Sequence, residues 1–404
     1  MATANSSSPE QPVNRDLLEE IRRLEGVENR LAHTYGMTSP QGNCVDPEAV
    51  LHEAKRRARP PLWHLLLSFW NGTSASETDD LEALHRLGRL RESILQQPVP
   101  SESPSSIQGN RYGVDASRFW AVLIGIDAYG LQRLHGCVSD ALSMKNFLID
   151  DLGMSEERIQ CLLGFHYPTP GDPLPSRDNI VRVLYSLISN QGIDPGDNIL
   201  IYFAGHGASY NCAEHCLKPK CDTKSCPVKA LCPLDRDTLD AGGRYVPDIS
   251  DRELDALFTE ISRVKGHKIT FIADCYYAHS FPRTPDTEMR SIQHTTHSDV
   301  NDMLRAGHER LEHFPGYQSI LSDDWKPDRS SHLCLTACRD HQTARETLES
   351  GQYGGIFTKT LLRVLKSEDW KKETTYVGLA CLMNQSDAQT PVVAGVHRYE
   401  RVWY

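Results

Sequence analysis

The stretch Lys268-Ile269-Thr270-Phe271-Ile272-Ala273-Asp274-Cys275-Tyr276-Tyr277-Ala278-His279-Ser280 limits what this chain can fold into more than any other. Its first half is a run of β-branched and aromatic residues without Gly or Pro, the pattern of a strand covered on both faces. It ends in polar and reactive side chains. Two further stretches repeat the design: Asp197-Asn198-Ile199-Leu200-Ile201-Tyr202-Phe203 stops at Ala204-Gly205-His206-Gly207, and Phe119-Trp120-Ala121-Val122-Leu123-Ile124-Gly125-Ile126-Asp127 stops at Tyr129-Gly130. In α/β proteins chemistry collects at the carboxyl ends of such strands. The three stretches therefore predict one sheet with one functional rim.

Helical patterns alternate with these strands. A helix is expected from Ser139 to about Asp151, a strand at Ile159-Leu163, and a helix from Ser176 to about Asn190. Further on come a helix from Asp251 to Val264, a strand from His332 to Ala337, a helix from Gly355 to Lys366, and a terminal strand around Tyr399 to Tyr404. The alternation, with short loops, predicts an α/β fold with a mostly parallel sheet and helices on both faces. Two segments break the pattern: a Cys-rich insertion at 208–234, and a polar segment at 281–330 that reads as a long surface loop.

At 404 residues the chain exceeds one average domain, so a large domain with an appendage is expected. Residues 1–12 are too polar to offset the entropy of ordering them and read as a disordered tail. Residues 13–97 read as a helical region, with Leu17, Leu18, Ile21, Leu24, Val27 and Leu31 on one helical face and Asp46-Pro47-Glu48 as a helix start. Pro, Ser, Gln and Gly mark a linker over 98–115, leaving 116–404 as the large domain. A net charge of -11 argues against nucleic acid or an anionic membrane as the main partner. No apolar run approaches the roughly 20 residues of a membrane span, and the polar N-terminus has no signal-peptide core. Cytoplasmic localisation is the expectation, with the twelve cysteines as thiols or metal ligands.

His at one strand end and Cys at the neighbouring one form the arrangement a thiol protease needs. The thiolate attacks, and the imidazole lowers the thiol pKa and later protonates the leaving amine. A glycine beside the His lets a backbone N–H approach the developing oxyanion. With these residues in view, 118–404 resembles the caspase-like peptidases (peptidase C14), and most closely the metacaspases of fungi, plants and protists. The stretches that carry the resemblance are Ala121 to Tyr129, Leu134-His135-Gly136-Cys137-Val138-Ser139-Asp140-Ala141, Tyr202 to Gly207, Phe271 to Cys275, Leu335-Thr336-Ala337-Cys338, Ala344-Arg345-Glu346 and Gly355-Ile356-Phe357-Thr358. The resemblance implies that His206 is the catalytic histidine and Gly207 its oxyanion neighbour. It also implies that Asp140 and Asp274 line a primary specificity pocket for Arg or Lys, since buried carboxylates reward a cationic side chain. Ala204 stands where metacaspases often carry a Ser of that pocket, and the family's acidic calcium ligands are echoed in part by Asp248 and Asp251.

One departure bears on activity. The family's nucleophile position, two after the Asp, holds Tyr276, and Cys275 precedes it. Successive side chains of an extended segment point to opposite faces, so a one-residue displacement aims the thiol away from His206 unless the backbone bulges. A phenol, with a pKa of about 10 and greater bulk, does not replace a thiol. Two readings follow: a cysteine endopeptidase cleaving after Arg or Lys with Cys275 in a shifted geometry, or a pseudopeptidase that binds peptides or regulates partners.

The insertion places Cys212, His215, Cys216, Cys221, Cys226 and Cys232 directly after the catalytic His position. Four thiolates, Cys212, Cys216, Cys221 and Cys226, suit a structural zinc, with disulfides or free thiols as alternatives. Catalysis itself requires no cofactor. A protein or peptide substrate or ligand is the expected partner of the large domain, and Trp63, Phe69 and Trp70 motivate a protein partner for the N-terminal helices.

Overall fold

The structure, a computed structural model, describes residues 114–404 apart from 131, 169–170, 211–227, 276–288, 294, 296, 323, 340–341, 350, 368–373 and 384–388. The expectations for the tail, the N-terminal helical region and most of the linker lie outside these residues.

Three largely apolar strands form the centre, as their composition demands. β1 (Phe119–Ile126), β3 (Asn198–Ala204) and β7 (Ile269–Asp274) are buried along almost their whole lengths. With β2 (Ile159–Gly164), β8 (Leu333–Thr336) and β11 (Val392–Ala394) they make a six-stranded sheet in the order β11-β8-β7-β3-β1-β2. All pairings are parallel except β8 with β11. The register aligns Gly125 with Ala204 and Ala204 with Asp274. The ends that carry Asp127, His206 and Cys275 therefore share one rim.

Helices cover the sheet in two groups: α1 (Cys137–Asn146) beside α5 (Ile356–Lys366), and α2 (Arg177–Ser189) beside α3 (Asp251–Lys265), which packs on α4 (Val300–Leu311). The α3 pattern is legible in its sequence: Leu254, Leu257, Phe258 and Ile261 are buried at helical spacing, Ser250 caps the start by accepting from the Glu253 N–H, and Gly266 ends the helix at φ 91°. α1 begins two residues before the expected Ser139. Its orphan N–H groups are satisfied from a distance: Cys137 and Val138 donate to the Asp127 carboxylate at 2.8 and 3.4 Å. Gly125 lets the helix approach, since a Cβ there would fall 2.6 Å from the Cys137 carbonyl.

Three expectations are corrected. The segment 281–330 is not simply a surface loop: it contains α4, whose Val300, Met303, Leu304 and Leu311 enter the core, and it buries Arg290 completely. The terminal strand at Tyr399 to Tyr404 is absent. Val402 and Trp403 are buried through turns, with Trp403 at φ 54°, and only Arg401 makes an isolated bridge, to Thr375. The described ends of the Cys-rich insertion are ordered: β4 (Gly207–Tyr210) pairs antiparallel with β5 (Val228–Leu231), which pairs with β6 (Ile249–Ser250). Sequence reading also missed the hairpin of β9 (Glu346–Glu349) and β10 (Gln352–Gly355), and α6 (Tyr376–Leu382).

Candidate active site

His206 leaves the end of β3 and is 1% exposed. Its backbone N–H donates to the Tyr129 hydroxyl at 3.0 Å, that hydroxyl donates to the Cys232 carbonyl at 2.9 Å, and the imidazole leans on the Tyr129 ring at 4.5 Å. Gly205 is required for this arrangement, because a Cβ would fall 2.6 Å from the Tyr129 hydroxyl. Nε2 lies 2.6 Å from the Gln132 carbonyl, which can only accept, so Nε2 carries the ring proton. Gln132 presents that carbonyl from φ 118°, an unusual conformation for a residue with a side chain. Nδ1 keeps its lone pair, buried and, among the described residues, without a hydrogen-bond partner. Burial holds His206 down to about 4, with the Gln132 contact opposing, so the ring is neutral near pH 7.

Gly207 follows with its N–H directed at the Arg290 carbonyl, 3.2 Å away, and its own carbonyl accepting from the Ile292 N–H at 3.0 Å. Arg290 donates its backbone N–H to the Ala344 carbonyl at 3.1 Å, and Met289 bridges antiparallel to Arg345. The short stretch from Met289 to Ile292, bent at Arg290, is thus clamped between the ends of two segments.

The Arg290 side chain is 0% exposed and enters a pocket of three carboxylates. Nη2 pairs with Asp140 and, at 3.0 Å, with Glu346; Nη1 lies 2.7 Å from Asp274; Nε donates to Glu346 at 3.3 Å. Backbone and hydroxyl donors complete the pocket. Gly355 N–H donates to Asp140 at 2.7 Å, Thr358 Oγ1 donates to Asp274 at 2.6 Å, and the N–H groups of His135 and Gly136 donate to Glu346 at 3.0 Å. Tyr202 shares a 2.6 Å hydrogen bond with Thr358. Burial raises Asp140 up to about 7; the Arg290 guanidinium opposes this and the Asp274 charge adds to it. Asp274 is raised in the same sense, chiefly by burial, with Arg290 again opposing. The pocket is built to hold a planar, multidentate cation.

Cys275 follows Asp274 and is 2% exposed. Its thiol lies close enough to Cys232 to add slightly to the rise that burial imposes on that neighbour. Asp248 is spent within the fold: Arg236 donates to both its oxygens at 2.9 Å and Tyr210 donates at 2.8 Å. Tyr276, and Cys212, Cys216, Cys221 and Cys226 with His215, lie outside the described residues.

The structure places His206, Gly207, Asp140 and Asp274, four of the residues that sequence reading singled out, on one rim. It adds Glu346, which that reading gave no role, and Arg290, which that reading named with Arg283, Arg305 and Arg310 only as a candidate cleavage site in a loop that resembles the family's maturation loop. Glu346 stood in a recognised stretch without a role, and Arg290 looked like any arginine of a polar loop. The one local signal for Arg290 is its setting between Met289 and Ile292, two apolar residues in an otherwise polar run.

A family model described as "Caspase domain" matches residues 118–391, well over half of the chain. This chain belongs to the caspase-domain family. Among its relatives, Metacaspase-3 of Arabidopsis thaliana is 30% identical over 249 residues, covering 61% of this chain and 59% of that protein. Metacaspase-1 of Eremothecium gossypii is 33% identical over 118 residues, 27% of this chain and 25% of that protein. The chain thus spans less than two thirds of the length of either relative. Among solved structures, Caspase-1 from Spodoptera frugiperda aligns with a TM-score of 0.37 at 11% identity, covering 76% of this chain and 94% of that one. The region 118–391 is a caspase/metacaspase-like peptidase domain. Among the described residues no helix is long and apolar enough to cross a membrane.

Proposed function

We propose that this domain is a cysteine endopeptidase that reads arginine at the residue before the cleaved bond. The observation that carries this reading is Arg290, whose guanidinium fills the three-carboxylate pocket while its carbonyl meets the Gly207 N–H. A pocket for the side chain and a backbone donor for the carbonyl of the same residue are what a peptidase needs to select that residue and polarise the bond that follows it. In this mechanism Asp140, Asp274 and Glu346 bind the arginine. His206, with its proton fixed on Nε2 by Gln132, takes the proton of the attacking thiol on Nδ1 and returns it to the leaving amine. Cys275 supplies the sulfur that bonds to the carbonyl carbon, and water then releases the acyl group.

A second reading is favoured by a specific observation. Among the described residues no group makes a hydrogen bond to Nδ1 of His206, the Cys275 thiol included. In that reading the domain binds arginine peptides without cutting them. The deciding experiment is hydrolysis of fluorogenic peptides ending in Arg, Lys or Asp by the full chain, beside Cys275→Ala, His206→Ala and Tyr276→Cys. Turnover of the Arg peptide that disappears in both alanine variants supports the peptidase. A silent wild type that Tyr276→Cys awakens supports the second reading.

A further inference from the structure

We propose that Met289–Ile292 is a resident pseudosubstrate: Arg290 plugs the arginine pocket of its own chain, uncut and reversibly, and an incoming peptide arginine must displace it. This rests on the pocket reading arginine, and not on turnover.

The segment occupies the groove as a peptide ligand would. It is zippered by main-chain bonds on both sides, with Arg290 N–H on the Ala344 carbonyl, Met289 bridged to Arg345, and Gly207 bonded to both the Arg290 carbonyl and the Ile292 N–H. Strand addition of this kind gives affinity through the main chain and specificity through one side-chain pocket. The pocket is filled: Nε and both Nη nitrogens of Arg290 lie beside carboxylates, Nη1 by ion pairing without an aligned hydrogen bond, and no surface of the side chain is left to solvent. Gly355 closes it so tightly that a Cβ there would fall 2.5 Å from the guanidinium. A second arginine has no room while Arg290 stays.

The plug is held unattacked because the reacting half of the site is not engaged with it. The Arg290 carbonyl has its backbone donor, but among the described residues Nδ1 of His206 has no hydrogen-bond partner, so the base is not coupled to a described nucleophile at the Arg290–Ser291 bond. Reversibility follows from chemistry, since an external arginine remakes the same ion pairs that Arg290 gives up. The competition is decided by effective concentration, which for a tethered segment is on the order of millimolar. The apparent affinity for an outside peptide falls by the fraction of molecules that are unplugged.

The test uses the full chain and a fluorescein-labelled peptide with a single arginine, its lysine and aspartate counterparts, and anisotropy as the readout. Arg290→Ala is expected to bind the arginine peptide at least ~tenfold more tightly than the wild type, and to prefer it to the lysine and aspartate peptides. Purified wild type is expected to keep its intact mass. Because Arg290→Ala strips a cation from three buried carboxylates and can fail to fold, hydrogen exchange on the wild type supplies the second measurement. Saturating arginine peptide should accelerate exchange at the Arg290 and Ile292 amides, while the aspartate peptide should not. Equal affinity for wild type and variant, or peptide binding that leaves those amides protected, overturns the plug. Cleavage that creates a new N-terminus at Ser291 overturns its being uncut. A folded variant that binds no arginine peptide overturns the arginine-pocket reading itself, which separates the two failures.

Discussion

Arg290 and His206 lie on the same rim, are equally hidden from water, and are bonded to the same residue or its neighbour, yet one is held charged and the other neutral. Arg290 faces Asp140, Asp274 and Glu346; His206 faces a tyrosine ring and one carbonyl. In a poorly polarisable interior a charge persists only where opposite charges and hydrogen bonds replace its hydration. The same burial that keeps the imidazole a base would expel the guanidinium if the carboxylates were absent. The carboxylate pocket is thus assembled around a cation, and the surroundings of His206 are kept free of one.

Removing the cation breaks this contrast most severely. Arg290→Ala leaves three carboxylates buried without their counter-charge, and loss of one partner from a buried ion pair costs about 3–5 kcal/mol. The loss should be smaller at pH 5 than at pH 8. Arg290 lowers the Asp140 and Asp274 pKa values, so without it the folded protein holds more protons and gains from acid. Urea midpoints of variant and wild type at the two pH values measure this, and a gap that widens on acidification breaks the account.

The neutral state of His206 gives a second, smaller effect. Its folded pKa of about 4 lies below the ordinary 6.5, so the unfolded chain binds the extra proton first. The contribution is fully present above pH 6.5 and is lost as pH falls toward 4, amounting to roughly 3 kcal/mol. Comparing the pH dependence of stability in wild type and His206→Gln isolates it from other groups such as His332, which burial also lowers to about 4. The variant should show the shallower loss across that window.

A third substitution sharpens the comparison without changing any charge. A methyl at Gly355 would lie 2.3 Å from the Asp274 carboxylate and 2.5 Å from the Arg290 guanidinium. Overpacking of this kind costs typically 1–3 kcal/mol. Gly355→Ala should therefore lower the melting temperature and loosen Arg290, seen as faster exchange of its backbone amide, while leaving the His206 titration unmoved.

Much of this architecture was legible before the structure. Apolar runs without Gly or Pro could only be covered strands, and the placement of His206, Gly207, Asp274 and Cys275 at their ends followed from parallel pairing. Asp140 was legible as a carboxylate in the first turn of a helix on that rim. The polar segment misled, because the apolar residues of α4 stand among Asn, Asp, Arg, His and Glu, and its contribution to the core depends on α3 beside it. The terminal strand misled because burial of Val402 and Trp403 is achieved by turns rather than by pairing.

What the sequence by itself determined is what short-range physics can encode: which runs must be strands, where helices are capped, and which reactive groups share a rim. What only the tertiary structure decided is which arginine among many is buried and what charge each buried group carries. Those answers come from Asp140, Asp274 and Glu346 meeting Arg290 across separations of 150, 16 and 56 residues. Electrostatic interaction depends on distance and dielectric rather than on chain order, so no local pattern can announce it.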